Sequence, residues 1–239
     1  MNESSPSRKP LSQKPPPRFP AALRWTLVFV VAMIALIVAI WPRGGSGVPD
    51  GSVTASAPSG PNAMDAQVGD AQLASARADA ALPPCPTTGL PMGPDAALAG
   101  VRAPCLADGS TYDLGTGTAG KPLIVNMWAV WCLPCRHELP VMAEYAQRAG
   151  DSVNVLAVHA QEGAQNPYLA LQFLIENNVR MATVLDTDGK IAAALRAPRV
   201  FPSSILIRPD GTVAKVLPQI FDSPDQIAAA VDQYLGVRT

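Results

Sequence analysis

Lys121-Pro122-Leu123-Ile124-Val125-Asn126-Met127-Trp128-Ala129 runs directly into Val130-Trp131-Cys132-Leu133-Pro134-Cys135. The apolar run has the length and continuity of a strand buried on both faces. Behind the cysteines the pattern turns helical to about Arg148, with Leu139, Met142, Ala143 and Ala146 on one side. Cys132 therefore stands where a helix begins, and unpaired amides with the helix dipole favour a thiolate there. Cys135, one turn further in, can attack a mixed disulfide formed at Cys132, and Pro134 fixes the first turn without wasting an amide donor. Such spacing supports thiolate attack followed by intramolecular resolution.

Zinc is the competing reading of Cys-x-x-Cys, and an inert disulfide is another. A zinc site needs a second half. Cys85 and Cys105 are 20 positions apart rather than clustered, and His137 follows Cys135 by two. His159 closes the next strand and reads as an ordinary surface or strand-end residue. No metal site and no cofactor are expected.

Outward from this block, strands and helices alternate. Thr111 to Leu114 and Cys105-Leu106 flank Ala107-Asp108-Gly109, a hairpin signal. Residues 153–158 and 181–185 are further strands, separated by a helix opening at Asn166-Pro167. A short helix over 190–195 leads to Arg199-Val200-Phe201-Pro202. Residues 204–207 and 212–216 then form a hairpin around Pro209-Asp210-Gly211. Ser223-Pro224 caps a last helix that stops at Gly236. The order predicts an α/β fold, with a parallel core and antiparallel edges. About 155 residues can bury one adequate core.

The 239-residue chain has a formal net charge of -1, unevenly spread. Residues 1–24 hold five basic side chains against Glu3, a local charge of +4, so the rest carries -5. A net charge near zero gives no support to a nucleic-acid partner, since such domains usually show a basic face, and none is expected. Residues 25–40 read WTLVFVVAMIALIVAI, without charge, glycine or proline. Extended to 21–41 the run spans roughly 31 Å as a helix, matching a hydrocarbon core of about 30 Å. Arg24 can snorkel, and Trp25 and Trp41 suit the two interfaces. A cleaved signal is the alternative, but the nearest small-x-small site, Ala55-Ser56-Ala57, lies well past the run. The expected organisation is a cytoplasmic basic tail (1–20), a transmembrane anchor (21–41), a flexible linker (42–84) and a folded domain (85–239). The positive-inside rule puts that domain outside the cytoplasm. Within the linker, residues 67–81 form a weak alanine-rich helix that would bury little.

The block from Val125 to Arg136, with Glu138-Leu139-Pro140, resembles the active site of the TlpA/ResA family of thioredoxin-fold proteins. Phe201-Pro202, then Ser203-Ser204-Ile205-Leu206-Ile207 and Pro209-Asp210-Gly211, resembles that family's cis-proline strand and hairpin. The resemblance covers roughly residues 100–236. It implies a thioredoxin-like fold, a central mixed sheet flanked by helices. It also implies membrane-tethered thiol–disulfide exchange on protein substrates, with a membrane electron donor or acceptor as redox partner. Carried over by position, Cys132 is the attacking thiol, Cys135 the resolving thiol, and Pro202 a cis-proline facing the pair. Trp131 and Phe201 flank the substrate.

The acidic residue often buried under the cysteines in thioredoxins corresponds here to Asn126, which cannot take a proton. Glu138 is a candidate base by proximity, against its simpler role as a first-turns helix charge. In an oxidising compartment Cys85 and Cys105 read as a structural disulfide, with a second redox pair feeding Cys132 as the alternative. A reductase of protein disulfides, as in cytochrome c maturation, is the leading expectation. An oxidase that donates disulfides and a copper-binding assembly chaperone are its rivals. The chaperone would need a third soft ligand beside the pair.

Overall fold

A computed structural model of the chain describes residues 30–36 and 68–239. Two compact units divide after Pro58. In the first, residues 30–36 are helical and exposed; the rest of the expected anchor and residues 42–67 of the expected linker lie outside the described residues. Among the described residues no helix is long and apolar enough to cross a membrane.

The second unit is built around a five-stranded sheet. Its strands are β3 (Leu123–Trp128), β4 (Asn154–His159), β5 (Thr183–Leu185), β6 (Ser203–Ile207) and β7 (Val213–Leu217), in the order β5-β4-β3-β6-β7. β4 runs parallel to β3 and β5, while β6 is antiparallel to β3 and β7 to β6. Every residue of β3 is buried, as its unbroken apolar pattern requires of a central strand. Alternation along β3 sends Ile124 and Trp128 into one core and Leu123, Val125 and Met127 into the other. Asn126 shares the face of Ile124 and Trp128.

That face is covered by α3 (Leu133–Ala149), α4 (Pro167–Glu176) and α6 (Pro224–Leu235). The opposite face carries α2 (Leu114–Gly117), α5 (Lys190–Leu195) and a two-stranded antiparallel pair, β1 (Arg102–Pro104) with β2 (Thr111–Asp113). This is a thioredoxin-like α/β fold with a mixed central sheet flanked by helices. Helix limits follow the capping chemistry. Asn166 and Ser223 side chains accept from the amides of Leu169 and Gln226, each followed by proline in the first turn. α6 ends at Gly236, whose φ of 69° lies in the left-handed region.

Two segments depart from the sequence expectations. The hairpin strands lie at 102–104 and 111–113, so Cys105 and Leu106 belong to the connecting loop, not to the first strand. Both pair sideways instead: Cys105 bridges antiparallel to Val184, and the Leu106 amide donates to the Thr183 carbonyl (2.8 Å). The alanine-rich stretch is α1 (Asp70–Ala80), and it buries Ala76 and Ala80 against the helix-covered core beside α4. Small side chains allow that close approach, an outcome a weak amphipathic pattern conceals.

Cys85 and Cys105 are joined by a disulfide, with Cα atoms 6.1 Å apart and both residues buried. It ties the extended segment after α1 to the hairpin loop. The Tyr112 hydroxyl adds a second tie, donating to the Pro86 carbonyl (2.8 Å).

Candidate active site

β3 ends at Trp128, and the turn over 129–132 closes with the Cys132 amide donating to the Ala129 carbonyl (3.0 Å). Cys132 is the N-cap of α3. Its sulfur accepts from the Cys135 amide (3.1 Å), the geometry that stabilises negative charge on sulfur at a helix start. The two cysteines are joined as a disulfide, Cα atoms 5.3 Å apart, with Cys132 3% exposed and Cys135 fully buried. Of the pair, Cys132 alone keeps any exposure.

Phe201-Pro202 is a cis peptide bond. Register places it: Ser203 pairs with Met127, so Pro202 sits at the end of β3 from which the cysteine loop departs. The Phe201 ring meets the Trp131 ring edge-on, with centroids 5.6 Å apart. Trp131, Leu133 and Val200 are the exposed large apolar side chains of this rim. The structure thus brings Trp131, Cys132, Cys135, Phe201 and Pro202 together, while Cys85 and Cys105 lie in the core on the other face of the sheet.

Glu138 corrects the sequence reading. It is not a solvated helix charge; it is fully buried. Its Oε1 accepts from the Phe221 amide (3.0 Å) and its Oε2 from Nδ2 of Asn126 (2.8 Å). Burial raises its pKa above the ordinary carboxylate value, outweighing those two bonds, with Asp222 adding to the rise. Helical spacing carried the signal: Glu138 lies three positions after Cys135 and four before Met142, on the face that packs. Asn126 donates also to the Ser204 hydroxyl (3.2 Å), which leaves its Oδ1 buried without a partner. Beneath the cysteines there is therefore a buried carboxyl, reached from the helix rather than from β3.

His159 is a second correction. It ends β4 as expected but is fully buried, not a surface residue. Its Nε2 accepts from the Val130 amide (3.2 Å), so the proton sits on Nδ1 and donates to the Ala160 carbonyl (2.8 Å). The ring packs edge-on against Trp128, centroids 4.7 Å apart. Burial lowers its pKa to about 4, against the opposing pull of the Ala160 carbonyl and Glu162. A neutral imidazole thus anchors the loop that leads into Cys132. Because the unfolded His binds its proton more tightly, this stability is present above about pH 6.5 and is lost as pH falls through about 4. Replacing His159 with Leu should cost about 1–3 kcal/mol at pH 7, the penalty of an unpaired buried amide. His159→Gln, whose carbonyl can still accept from Val130, should recover most of that and lose the acid slope. Denaturant midpoints between pH 4 and 7 measure both; equal costs for the two variants would refute the role.

His137, the other histidine, is exposed, 3.6 Å from Asp222. Among the described residues no group of three or more His, Cys, Asp or Glu side chains is placed to hold a metal ion.

The family model described as Redoxin matches residues 88–231. Thiol-disulfide oxidoreductase ResA of Bacillus subtilis (strain 168) is 33% identical over 99 residues, 41% of this chain and 53% of that protein. Thiol:disulfide interchange protein CycY of Rhizobium leguminosarum bv. viciae is 38% identical over 95 residues, 39% of this chain and 48% of that protein. The chain spans about half the length of these curated relatives. The structure of MTB DsbF in its mixed oxidized and reduced forms superposes with a TM-score of 0.50 at 25% identity. It covers 58% of this chain and 97% of that one.

Proposed function

The chain belongs to the Redoxin family, and on that premise we propose that it is a thiol–disulfide oxidoreductase acting on protein substrates. One observation carries this reading: a Cys-x-x-Cys disulfide at a helix start, of which Cys132 alone keeps slight exposure, next to a cis-proline and an exposed apolar rim. In the reduced protein the Cys132 thiolate attacks one sulfur of a substrate disulfide. A Cys132–substrate bond forms, the substrate bond breaks, and the departing sulfur takes a proton. Cys135 then loses its proton and attacks Cys132. The Cys132–Cys135 bond forms, the second substrate thiol leaves, and two electrons have passed to the substrate. A partner dithiol restores the reduced pair. Trp131 and Phe201 shield the exchanging sulfurs, while backbone groups beside Pro202 pair with the incoming segment as an added strand.

Cys135 is buried and needs a proton acceptor close by. Glu138, one helical turn on from Cys135, has a pKa raised by burial, which makes its carboxylate a stronger base, and it takes that proton and returns it. Reduction of protein disulfides is the proposed direction, with cytochrome c maturation as the setting the family resemblance points to. The apolar run over 21–41 and the basic residues before it support anchorage in the cytoplasmic membrane with the domain outside. A reporter active only outside the cytoplasm, fused after Thr239, checks that topology.

The reduction potential of the Cys132–Cys135 pair tests the direction. A reductase should lie near the thioredoxin end, about -270 mV; a value near about -120 mV would make the protein an oxidase. Glu138→Gln tests the proton path. It should slow resolution by Cys135 about 10²-fold and flatten its pH profile. Its stability should move the other way. The raised carboxyl makes the folded protein hold its proton longer, so wild-type stability falls as pH climbs from the ordinary value of 4.5 through the raised pKa. The Gln variant should not show that fall; an unchanged pH profile of resolution would remove Glu138 from the mechanism.

A further inference from the structure

A cleft of about 320 Å³ is lined by Met127 and by Phe201, the ring that meets Trp131 next to Cys132. Its walls come from the end of α5, the loop over 196–201, and Gln161 and Glu162 after β4. Two arginines border it, Arg196 and Arg199, both exposed. Neither guanidinium has a hydrogen bond or ion pair among the described residues, whereas nearby Lys190 is committed to Asp188 (2.7 Å). Glu162 is the one acidic side chain in the lining. Two unpaired cations against one anion run counter to the -5 carried by residues 25–239. Arg196 is also held in the left-handed region (φ 50°), where a side chain other than glycine, asparagine or aspartate is uncommon. That conformation fixes the direction in which the chain leaves α5 toward the cis-proline.

We infer that this cleft is a substrate subsite for an acidic side chain flanking the target cysteine, held by Arg196 and Arg199. The geometry follows from strand addition beside Pro202, resting on the proposed function. A segment whose cysteine faces Cys132 passes over Phe201, and its neighbouring side chain drops toward Met127 and the two guanidinium groups. Planar guanidinium forks suit a carboxylate in that position. Complementary charge raises the encounter rate and selects among disulfides that Cys132 could otherwise attack equally.

The test uses the full chain, reduced, with three peptide disulfides identical except for Glu, Gln or Lys on either side of the cysteine. Uncharged hydroxyethyl disulfide serves as the fourth substrate. At about 20 mM salt the Glu peptide should react about tenfold faster than the Gln peptide and the Lys peptide more slowly. The three rates should converge at about 0.5 M salt, where screening is nearly complete. In the double variant Arg196→Asn, Arg199→Gln the Glu-to-Gln ratio should fall to about one; asparagine keeps the left-handed turn within reach. Equal peptide rates in the wild type, with hydroxyethyl disulfide reduced, would overturn the subsite and leave the redox reading intact. A ratio preserved in the double variant would overturn it as well. If the wild type reduces none of the four, the redox reading and the subsite fall together.

Discussion

With Cys132 replaced by Ser, disulfide exchange should fall by at least about 10³-fold, and no covalent complex with substrate should form. With Cys135→Ser, turnover should stop at the mixed disulfide, and the protein should accumulate covalently joined to its substrates. The asymmetry follows from the turn. Cys132 caps α3, its sulfur receives the Cys135 amide, and it is the member of the pair that keeps some exposure. Cys135 is fully buried, so it acts on the substrate only through the mixed disulfide, by attacking its Cys132 sulfur. Hydroxyl oxygen at Cys132 is no substitute, since serine offers no thiolate at neutral pH. Non-reducing gels and mass spectrometry of both variants read the outcome. Trapped complexes with Cys132→Ser instead of Cys135→Ser would exchange the two roles.

Much of this arrangement is legible in the sequence because local chemistry and tertiary packing agree there. The unbroken apolar run before Trp128, proline after the N-caps Asn166 and Ser223, and the glycine after α6 each have one good structural solution. The cis-proline and the helix-start cysteine of the candidate site are legible too, since Cys132-x-x-Cys135 and Phe201-Pro202 each sit at the end of an element. Residues whose roles depend on what faces them are not. Glu138 is charged, and charge on a helix ordinarily means solvent; only Asn126 and the Phe221 amide, remote in sequence, make its burial tolerable. His159 looks like a strand end, yet β4 is covered on both faces and the Val130 amide needs an acceptor. In α1 the departure has the opposite cause. Its pattern is too weak to specify burial, and the neighbouring α4 supplies the surface that Ala76 and Ala80 require.

Removing the second disulfide should reduce stability by about 3 kcal/mol, leaving the active-site chemistry in place. Joining residues 20 apart restricts the unfolded chain by about that amount on the loop-entropy account. In the folded state Cys105 bridges to Val184 and the Leu106 amide donates to Thr183, so the hairpin loop covers the outer edge of β5. Arg77 of α1 holds the same corner, donating to the Leu106 carbonyl (3.3 Å). A three-residue edge strand left without that cover would expose its backbone groups, so the loss should appear first as amide exchange in residues 183–185. The double variant Cys85→Ser, Cys105→Ser should therefore show a lower denaturant midpoint while still exchanging disulfides through Cys132. An electron relay between the two pairs meets a physical obstacle. Cys85 and Cys105 belong to the core on one face of the sheet, and Cys132 and Cys135 to the core on the other. Sulfurs held in cores on opposite faces of the sheet cannot form the mixed disulfide that exchange requires. Under mild reduction Cys132 and Cys135 should alkylate while the Cys85–Cys105 bond survives. If Cys85 were modified at a similar rate, or if the double variant lost exchange without losing stability, that disulfide would be part of the redox path.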